Sequence, residues 1–548
     1  MVLTHGIVCS SNPQRPRGGR GFGFVSTITA IQTRSVRTPT DREMRILSII
    51  VLLSSFLSSK AQNKSGNVWV FGAARAATAT FSDTSRPIIY PRFITPPLYF
   101  TEGHSNICDS ATGKLLFSCN GMILYDSNCV IMENGDSLVP QKIYKHNGFP
   151  SGLNSQNSII LPKGNNGLYY VIIATVTDST YEKGQIPGSG KAPCDLILYH
   201  IVDINANNGL GKVVSKNNVL LSGKEMHKIG MMACRHANGR DWWLLKQGQY
   251  DTNQVIRFLV TPDSIAGPWI QNVTMTDPAT YPKVWDLTGQ YAFSPNGEKF
   301  AYVKQKCQQL YLADFDRCTG ELINSKLINI PIDTTPSPDP KYKYDSLLNG
   351  VCFSPNGQFV YISKRWNIYQ YEHNQPDSSL AWYHVKQGPD TTYQKFQYYS
   401  SLHRGIDGRI YIGNWGGQYK QMSVIDKPDI KGVGCSFCRK CFRLDDTTYM
   451  GFGAPPDMPD FNLGASNTTC WPLANPSIEK NSESLLVYPN PSHTTFYFKN
   501  KTSQHKYLYN TLGQLIRTTQ TNEMDIRGLH PGVYYVQCDG ETRKVIVE

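Results

Sequence analysis

Three cysteines, Cys435, Cys438 and Cys441, follow one another at intervals of three residues, a spacing at which thiolates can converge on one metal ion. An iron–sulfur run would add a fourth cysteine followed by proline, whereas Cys441 leads into Phe442-Arg443-Leu444-Asp445. A zinc site would need further ligands, and His403 or Cys470 would serve only if the fold brought them close. A disulfide-stapled loop uses the same residues more simply, and that is the reading taken, with no cofactor expected and these three cysteines as the metal candidates.

Histidine supplies the other possible chemistry. His236 lies in Cys234-Arg235-His236-Ala237-Asn238-Gly239-Arg240-Asp241, ahead of a turn, where it would either face a channel or act as a hydrogen-bonded scaffold residue. His104 with Glu102, and His227 with Glu225, pair a base with a carboxylate but lack a third member. No triad signature surrounds them, so no catalytic residue is assigned. Two aromatic groups, Tyr393, Phe396, Tyr398 and Tyr399, then Trp366, Tyr369 and Tyr371, offer flat rings to a sugar or a protein, or else fill core. The connections 178–193 and 331–344, rich in Gly, Pro, Ser and Lys, are better placed to form a variable binding face.

A repeat must position these residues. Phe293-Ser294-Pro295-Asn296-Gly297 leads into Phe300-Ala301-Tyr302-Val303, and Phe353-Ser354-Pro355-Asn356-Gly357 into Phe359-Val360-Tyr361-Ile362. In each, Pro presets φ at the first turn position and Gly takes the left-handed one, so the flanking runs fold back as a hairpin. Looser copies turn at Gly113, Gly167, Gly239 and Gly408; the six glycines are 54, 72, 58, 60 and 51 residues apart. A spacing near sixty, with about four strands per unit and no amphipathic helix between, fits radial repetition of small antiparallel sheets. The body is therefore expected to be an all-β propeller of six or seven blades, closed by pairing of Asn67-Val68-Trp69-Val70-Phe71 with a late strand.

The 548 residues carry a formal charge of +12, but half of it lies in residues 1–61, where eight basic residues face Asp41 and Glu43. No dense Lys/Arg block remains beyond, so neither nucleic acid nor a membrane surface is an expected partner. Arg20-Gly21-Phe22-Gly23-Phe24-Val25 looks like an RNA-recognition strand, yet only nineteen residues precede it, too few for the strand and helix that fold requires. Fourteen cysteines, twelve of them between Cys108 and Cys470, are a load that an exported chain can oxidise. If Cys307 and Cys318 ended one continuous strand they would be about 35 Å apart, at roughly 3.3 Å per residue, so each would need another partner.

Both ends read as addresses. Met44-Arg45, the apolar run Ile46 to Leu57 and Ser59-Lys60-Ala61 make a signal peptide cleaved between Ala61 and Gln62, too short in its apolar part to span a bilayer. Residues 1–43 then read as an extension upstream of the true start at Met44. At the other end stand Tyr488-Pro489-Asn490-Pro491, Leu512-Gly513-Gln514 and Gly532-Val533-Tyr534-Tyr535-Val536, with Asp539-Gly540 as a two-residue hairpin turn. This ordered set resembles the type A sorting domain of the Bacteroidetes type IX secretion system, and the resemblance implies a β-sandwich over 476–548, contact with that machinery, and release or attachment at the cell surface. The body, 62–475, resembles a recurrent group of secreted Bacteroidetes propellers bearing this tail. The matching phrases are Asn67 to Gly72, Gly113 to Phe117, Asn157 to Pro162, Asn238 to Trp243, the two Ser-Pro-Asn-Gly turns and Met458-Pro459-Asp460-Phe461, with Met458 and Asp460 standing where the group tends to have Leu and Asn.

The expected protein is an exported propeller that binds an extracellular glycan or protein. The rivals are a hydrolase or lyase working from the central channel and a structural component of the surface or gliding apparatus. A sialidase is disfavoured because no Ser-x-Asp-x-Gly-x-x-Trp hairpin is present.

Overall fold

The computed structural model describes residues 62–548 apart from Ala74 and the stretches 82–85, 93–99, 101–102, 145–155, 184–193, 249–252, 276–288, 305–307, 332–347, 387–397, 416–419, 445–454, 468–469, 471–484, 500–504, 512–513 and 539–540. The signal segment, Ala61, Glu102, Cys307, most of the two long connections, Tyr393, Phe396, Leu512 and Gly513 thus lie outside the described residues.

Between Val68 and Arg443 the described residues form seven antiparallel sheets in chain order, five of four strands and two of three. Their first strands are β1 (Val68–Ala73), β2 (Ser105–Cys108), β3 (Ser158–Pro162), β4 (Met231–Arg235), β5 (Gly289–Phe293), β6 (Leu348–Phe353) and β7 (Tyr398–Arg404). Within each sheet the strands follow outward in sequence order, and the first strands of consecutive sheets lie side by side. The body is a β-propeller. Second strands such as Trp242–Gln247 and Phe359–Lys364 are buried at every position, because a sheet lies on either face, and their sequences accordingly run apolar without alternation. At the rim, Glu321–Asn329 and Trp382–Lys386 are largely half-buried or exposed.

Among the described residues β1 pairs with Arg75–Thr80, its own neighbour in the chain, and the late strand expected beside it is not among them, residues 445–454 lying outside the described part. Side chains join the first sheet to the last: Trp69, Phe71, Ala77 and Phe81 form one buried cluster with Tyr411, Met422, Val424 and Phe442 of the last sheet. Trp69 meets Tyr411 edge-on at 5.2 Å and Phe71 lies 6.1 Å from Phe442. A Phe or Trp truncated in such a cluster costs about 3–5 kcal/mol.

Six of the seven sheets turn between their first two strands at Gly113, Gly167, Gly239, Gly297, Gly357 and Gly408, all with φ between 71° and 79°. In both Ser-Pro-Asn-Gly turns the Gly N–H donates to the Ser carbonyl, and the Ser hydroxyl accepts from the N–H that starts the second strand, Lys299 at 2.9 Å and Phe359 at 3.0 Å. The first sheet lacks such a glycine, which is why only six units are visible in the sequence.

First strands expose one backbone edge to the axis, and buried amides satisfy it. Asn106 accepts from Val70 N and donates to Val68 O, and Asn349 donates to Tyr399 O. Two glutamines reach farther. Gln156 clamps both backbone groups of Tyr291, and Gln290 accepts from Val351 N and Leu402 N at 3.0 and 2.9 Å while donating to Leu402 O at 2.7 Å. Gln290 therefore joins β5, β6 and β7 across the channel.

Two disulfides are formed among the described residues, Cys318–Cys470 and Cys438–Cys441, the second stapling the loop expected to carry one, and the other eight described cysteines are buried outside these bonds. Burial pushes the thiols of Cys108, Cys119 and Cys234 up to about 12, so they behave as small apolar side chains. Cys318 does find a partner other than Cys307.

The tail forms two sheets. Leu486–Tyr488, Thr495–Lys499 and Glu523–Asp525 make one, and Leu515–Thr519, Lys506–Asn510, Gly532–Cys538 and Glu541–Val547 the other. Phe496, Phe498, Leu508, Met524, Val536 and Val545 fill the space between them. The last pair closes at Cys538 and Glu541, leaving only Asp539-Gly540 to connect the strands.

Candidate functional site

The chain after the last sheet does not leave the propeller directly. Residues 455–467 run as a strap through the mouth of the channel at the end where the hairpin turns lie. The Pro456 carbonyl accepts from the His403 ring, and Asp457 N donates to His104 O at 2.8 Å. Asp460 pairs with Arg404. Arg235, stacked 4.0 Å over the Trp242 ring, donates to Phe461 O, and Phe461 lies edge-on to the same indole at 5.8 Å. Arg317 donates to Gly464 O as well as to the carbonyls of Arg235, His236 and Asn296. Asn462 accepts from Asn63 N at 2.9 Å, Ser466 N donates to Ala237 O, and the Cys318–Cys470 disulfide, Cα atoms 5.4 Å apart, fastens the far end.

Two turn glycines make this path possible. A Cβ on Gly239 would lie 2.7 Å from Ala465 N, and one on Gly297 would lie 2.6 Å from Leu463 Cδ2. Gly357 and Gly408 meet nothing closer than 3.6 Å, so there glycine answers only to its positive φ.

Between strap and first strands is a cup of about 310 Å³. Its walls are mostly apolar, with Trp69, Met232, Phe293, Val351, Ile406 and Phe461 among them, and Gln290 contributes to the lining. His403, Arg404, Asp460 and Asn462 bring the polar groups. His403 is 9% exposed, and its Nε2 has no hydrogen-bond partner. A carbonyl only accepts, so the Pro456 contact places the ring proton on Nδ1 and leaves a bare lone pair on Nε2. Burial, with His104 adding to it, takes His403 from 6.5 down to about 3, so the ring is neutral at ordinary pH. The cup can therefore bury an apolar face and present the Arg404–Asp460 pair at its edge.

The histidines chosen from sequence are scaffold. His236 accepts from Asn238 N on Nδ1 and so donates through Nε2 to Cys318 O at 3.1 Å. His104 Nε2 donates to Val70 O at 2.9 Å. His227 is buried and accepts from Ile229 N, whereas Glu225 is exposed. The three cysteines are not gathered either. Cys438 is bonded to Cys441, while Cys435 packs in the core beside Tyr361, and no group of three His, Cys, Asp or Glu able to hold a metal occurs among the described residues. Trp366, Tyr369, Tyr371 and Tyr399 are buried, Tyr369 stacked on His384 at 4.4 Å, and Tyr398 stands against Arg365. They are core, not a rim. His403 entered the sequence reading only as a possible zinc ligand and Arg404 not at all, because nothing local marks them, although Asp460 stood out as a departure from the related propellers.

In the tail, Asn490 accepts from Ile546 N and donates to Lys544 O, laying the Tyr488-Pro489-Asn490-Pro491 turn along the last strand. Gln514 N donates to Asn510, and Tyr534 donates to His530 O from the strand that begins at Gly532 and Val533.

Residues 486–548 match the family model of the secretion system C-terminal sorting domain. No curated protein matches the chain. Among solved structures, the periplasmic gluconolactonase PpgL of Pseudomonas aeruginosa is 12% identical with a TM-score of 0.36, covering 88% of this chain and 99% of its own. A hypothetical selenium-binding protein of Sulfolobus tokodaii is 10% identical with a TM-score of 0.40, covering 76% and 97%. Hsv2 of Kluyveromyces lactis is 8% identical with a TM-score of 0.33, covering 66% and 90%. At these values none assigns a residue or an activity to this chain. The protein thus joins a β-propeller to a type IX sorting domain, which directs export to the cell surface or the extracellular space. No helix among the described residues is long and apolar enough to cross a membrane.

Proposed function

We propose that the exported propeller is a binding module that captures an extracellular glycan or protein at the cup on its hairpin end. The supporting observation is the cup itself, a concave and mostly apolar space with a few convergent polar groups, the form that ligand sites take. A hydrolase or lyase would need a second acid or base working with His403, and the nearby carboxylate of Asp460 is committed to Arg404. The secretory signal at 44–61, with cleavage before Gln62, fits the same destination.

The test is a glycan array and a protein pull-down with the secreted full chain, run beside a hydrolase panel and beside Ile406→Trp, which places an indole at the cup mouth. Retention of a ligand by the native protein and its loss in the variant is the expected result. Turnover without a retained partner, or equal retention by both proteins, refutes the proposal.

A further inference from the structure

We infer that Cys438 and Cys441 form a thiol–disulfide exchange site whose substrate is a dithiol met on the export route. Neither cysteine lines the cup, and the cup's ligand has no bearing on the pair. Cys438-Arg439-Lys440-Cys441 belongs to Phe437–Arg443, the outer strand of the last sheet, with no further strand beside it among the described residues. In an extended strand two Cα atoms three residues apart would be separated by about 10 Å; these lie at 5.7 Å. A bulge closes the gap. Val424 pairs with Cys438 and Met422 with Phe442, so residues 439–441 oppose Ser423 alone, whose hydroxyl accepts from Lys440 N at 3.2 Å. Lys440 is driven to φ 53°, a left-handed conformation that strains any residue with a Cβ. Opening the S–S bond lets the bulge relax, so the fold favours the reduced pair more than an unstrained staple would.

All four residues are half-buried, which leaves the sulfurs within reach of a thiolate from the rim. Arg439 and Lys440 are the two residues inside the disulfide ring, and burial together with the neighbouring Arg439 holds Lys440 below its usual value. A thiolate released beside these cations is stabilised, which makes either cysteine a good leaving group. Cys435 takes no part, because it is fully buried beside Tyr361 and burial pushes its thiol up. In the exchange, a partner thiolate bonds to one sulfur of the pair as the Cys438–Cys441 bond breaks, and the other sulfur leaves as a thiolate and takes a proton. The partner's second thiol then attacks the mixed disulfide, and the partner departs oxidised. Two electrons and two protons pass from the dithiol to the pair. The cysteines stay three residues apart, so an oxidised partner restores the bond through an intramolecular closing step. Cys318–Cys470, which joins residues 152 apart and ends a strap held by Arg317 and Arg235, is the built-in reference.

The experiment exposes the secreted full chain to dithiothreitol, a free dithiol, and in a second arm to reduced thioredoxin, a protein dithiol. Thiols are trapped with iodoacetamide over time, and both bonds are read by peptide mass spectrometry. Cys438–Cys441 is expected to open at least tenfold faster than Cys318–Cys470 in at least one arm, the faster arm naming the kind of partner, and to re-form when oxidised glutathione is added. Arg439→Gln combined with Lys440→Gln is expected to slow the opening at least threefold. An advantage below tenfold in both arms, failure of the bond to re-form, or slowing below threefold in the double variant overturns the inference. If the double variant does not give the native unfolding transition, the rates of the native protein decide alone.

Discussion

Gln290 offers the sharpest test of how the channel is held. Replacing it with Leu keeps the volume nearly constant and removes three hydrogen bonds, stranding Val351 N, Leu402 N and Leu402 O. Both residues are essentially fully buried, and an unsatisfied buried backbone group costs about 1–3 kcal/mol, so the three together should cost about 3–9 kcal/mol. Gln290→Glu separates hydrogen bonding from shape. A carboxylate keeps both accepted bonds but turns a charged oxygen toward the Leu402 carbonyl, whereas the protonated acid restores the donor. Its folded pKa should therefore rise above the usual carboxylate value of about 4.3. The native state then holds the proton more tightly than the unfolded one, so the deficit of this variant relative to the wild type is small at acid pH and grows as pH rises through the raised pKa. Urea unfolding followed by tryptophan fluorescence gives both quantities from the midpoint at constant slope, and Gln254→Leu, whose bond to Asn272 is exposed, should lie within about 0.5 kcal/mol of wild type. A Gln290→Leu midpoint indistinguishable from that control, or a Gln290→Glu deficit independent of pH, would refute the three-strand staple.

Three further outcomes are expected. Gly239→Ala and Gly408→Ala both place an L residue at positive φ, costing about 1–2 kcal/mol, but only the former meets strap backbone, so it should lose about 1–3 kcal/mol more and raise hydrogen exchange in residues 455–466. Removing the Cys318–Cys470 bond by Cys470→Ser frees a loop spanning 152 residues, for which chain entropy gives about 5 kcal/mol and typical disulfides about 2–4; a midpoint shift below about 0.5 kcal/mol would contradict a clamped strap. Burial holds both His200 and His403 down at about 3, so the unfolded chain binds their protons first and stability must fall with acidification between about 6.5 and 3. Those two groups contribute up to about 2.7 kcal/mol per pH unit, and His200→Gln should remove one proton from the slope.

Hairpin turns were legible because their chemistry is local: a Pro presets one dihedral and a Gly relieves another, whatever surrounds them. The tail was legible for the same reason. The seam between the first and last sheets was not, because Trp69 and Tyr411 are aromatic in any case and nothing in either says that they meet across more than three hundred residues of sequence. The cup was hidden more deeply. His403 sits in a strand among ordinary neighbours, and its character comes from Pro456 on a returning segment, a contact made by topology alone. The abundant cysteines misled, since a buried thiol and a bonded one look identical in a sequence. The twelve histidines misled differently, because nothing local in the sequence separates a scaffold histidine from one beside the cup.

The Cys318–Cys470 bond alters how tension would travel through the molecule. A pull on the tail, as by a translocating machine, does not arrive at the last sheet, where the chain topologically leaves the ring. It enters the fifth sheet through a covalent joint, and the 152 residues in between are bypassed as in a mooring line tied short of its end. Peeling of the sixth and seventh sheets from the end of the chain is therefore mechanically out of circuit while that bond stands, so the passenger can be hauled by its tag without being unravelled by it.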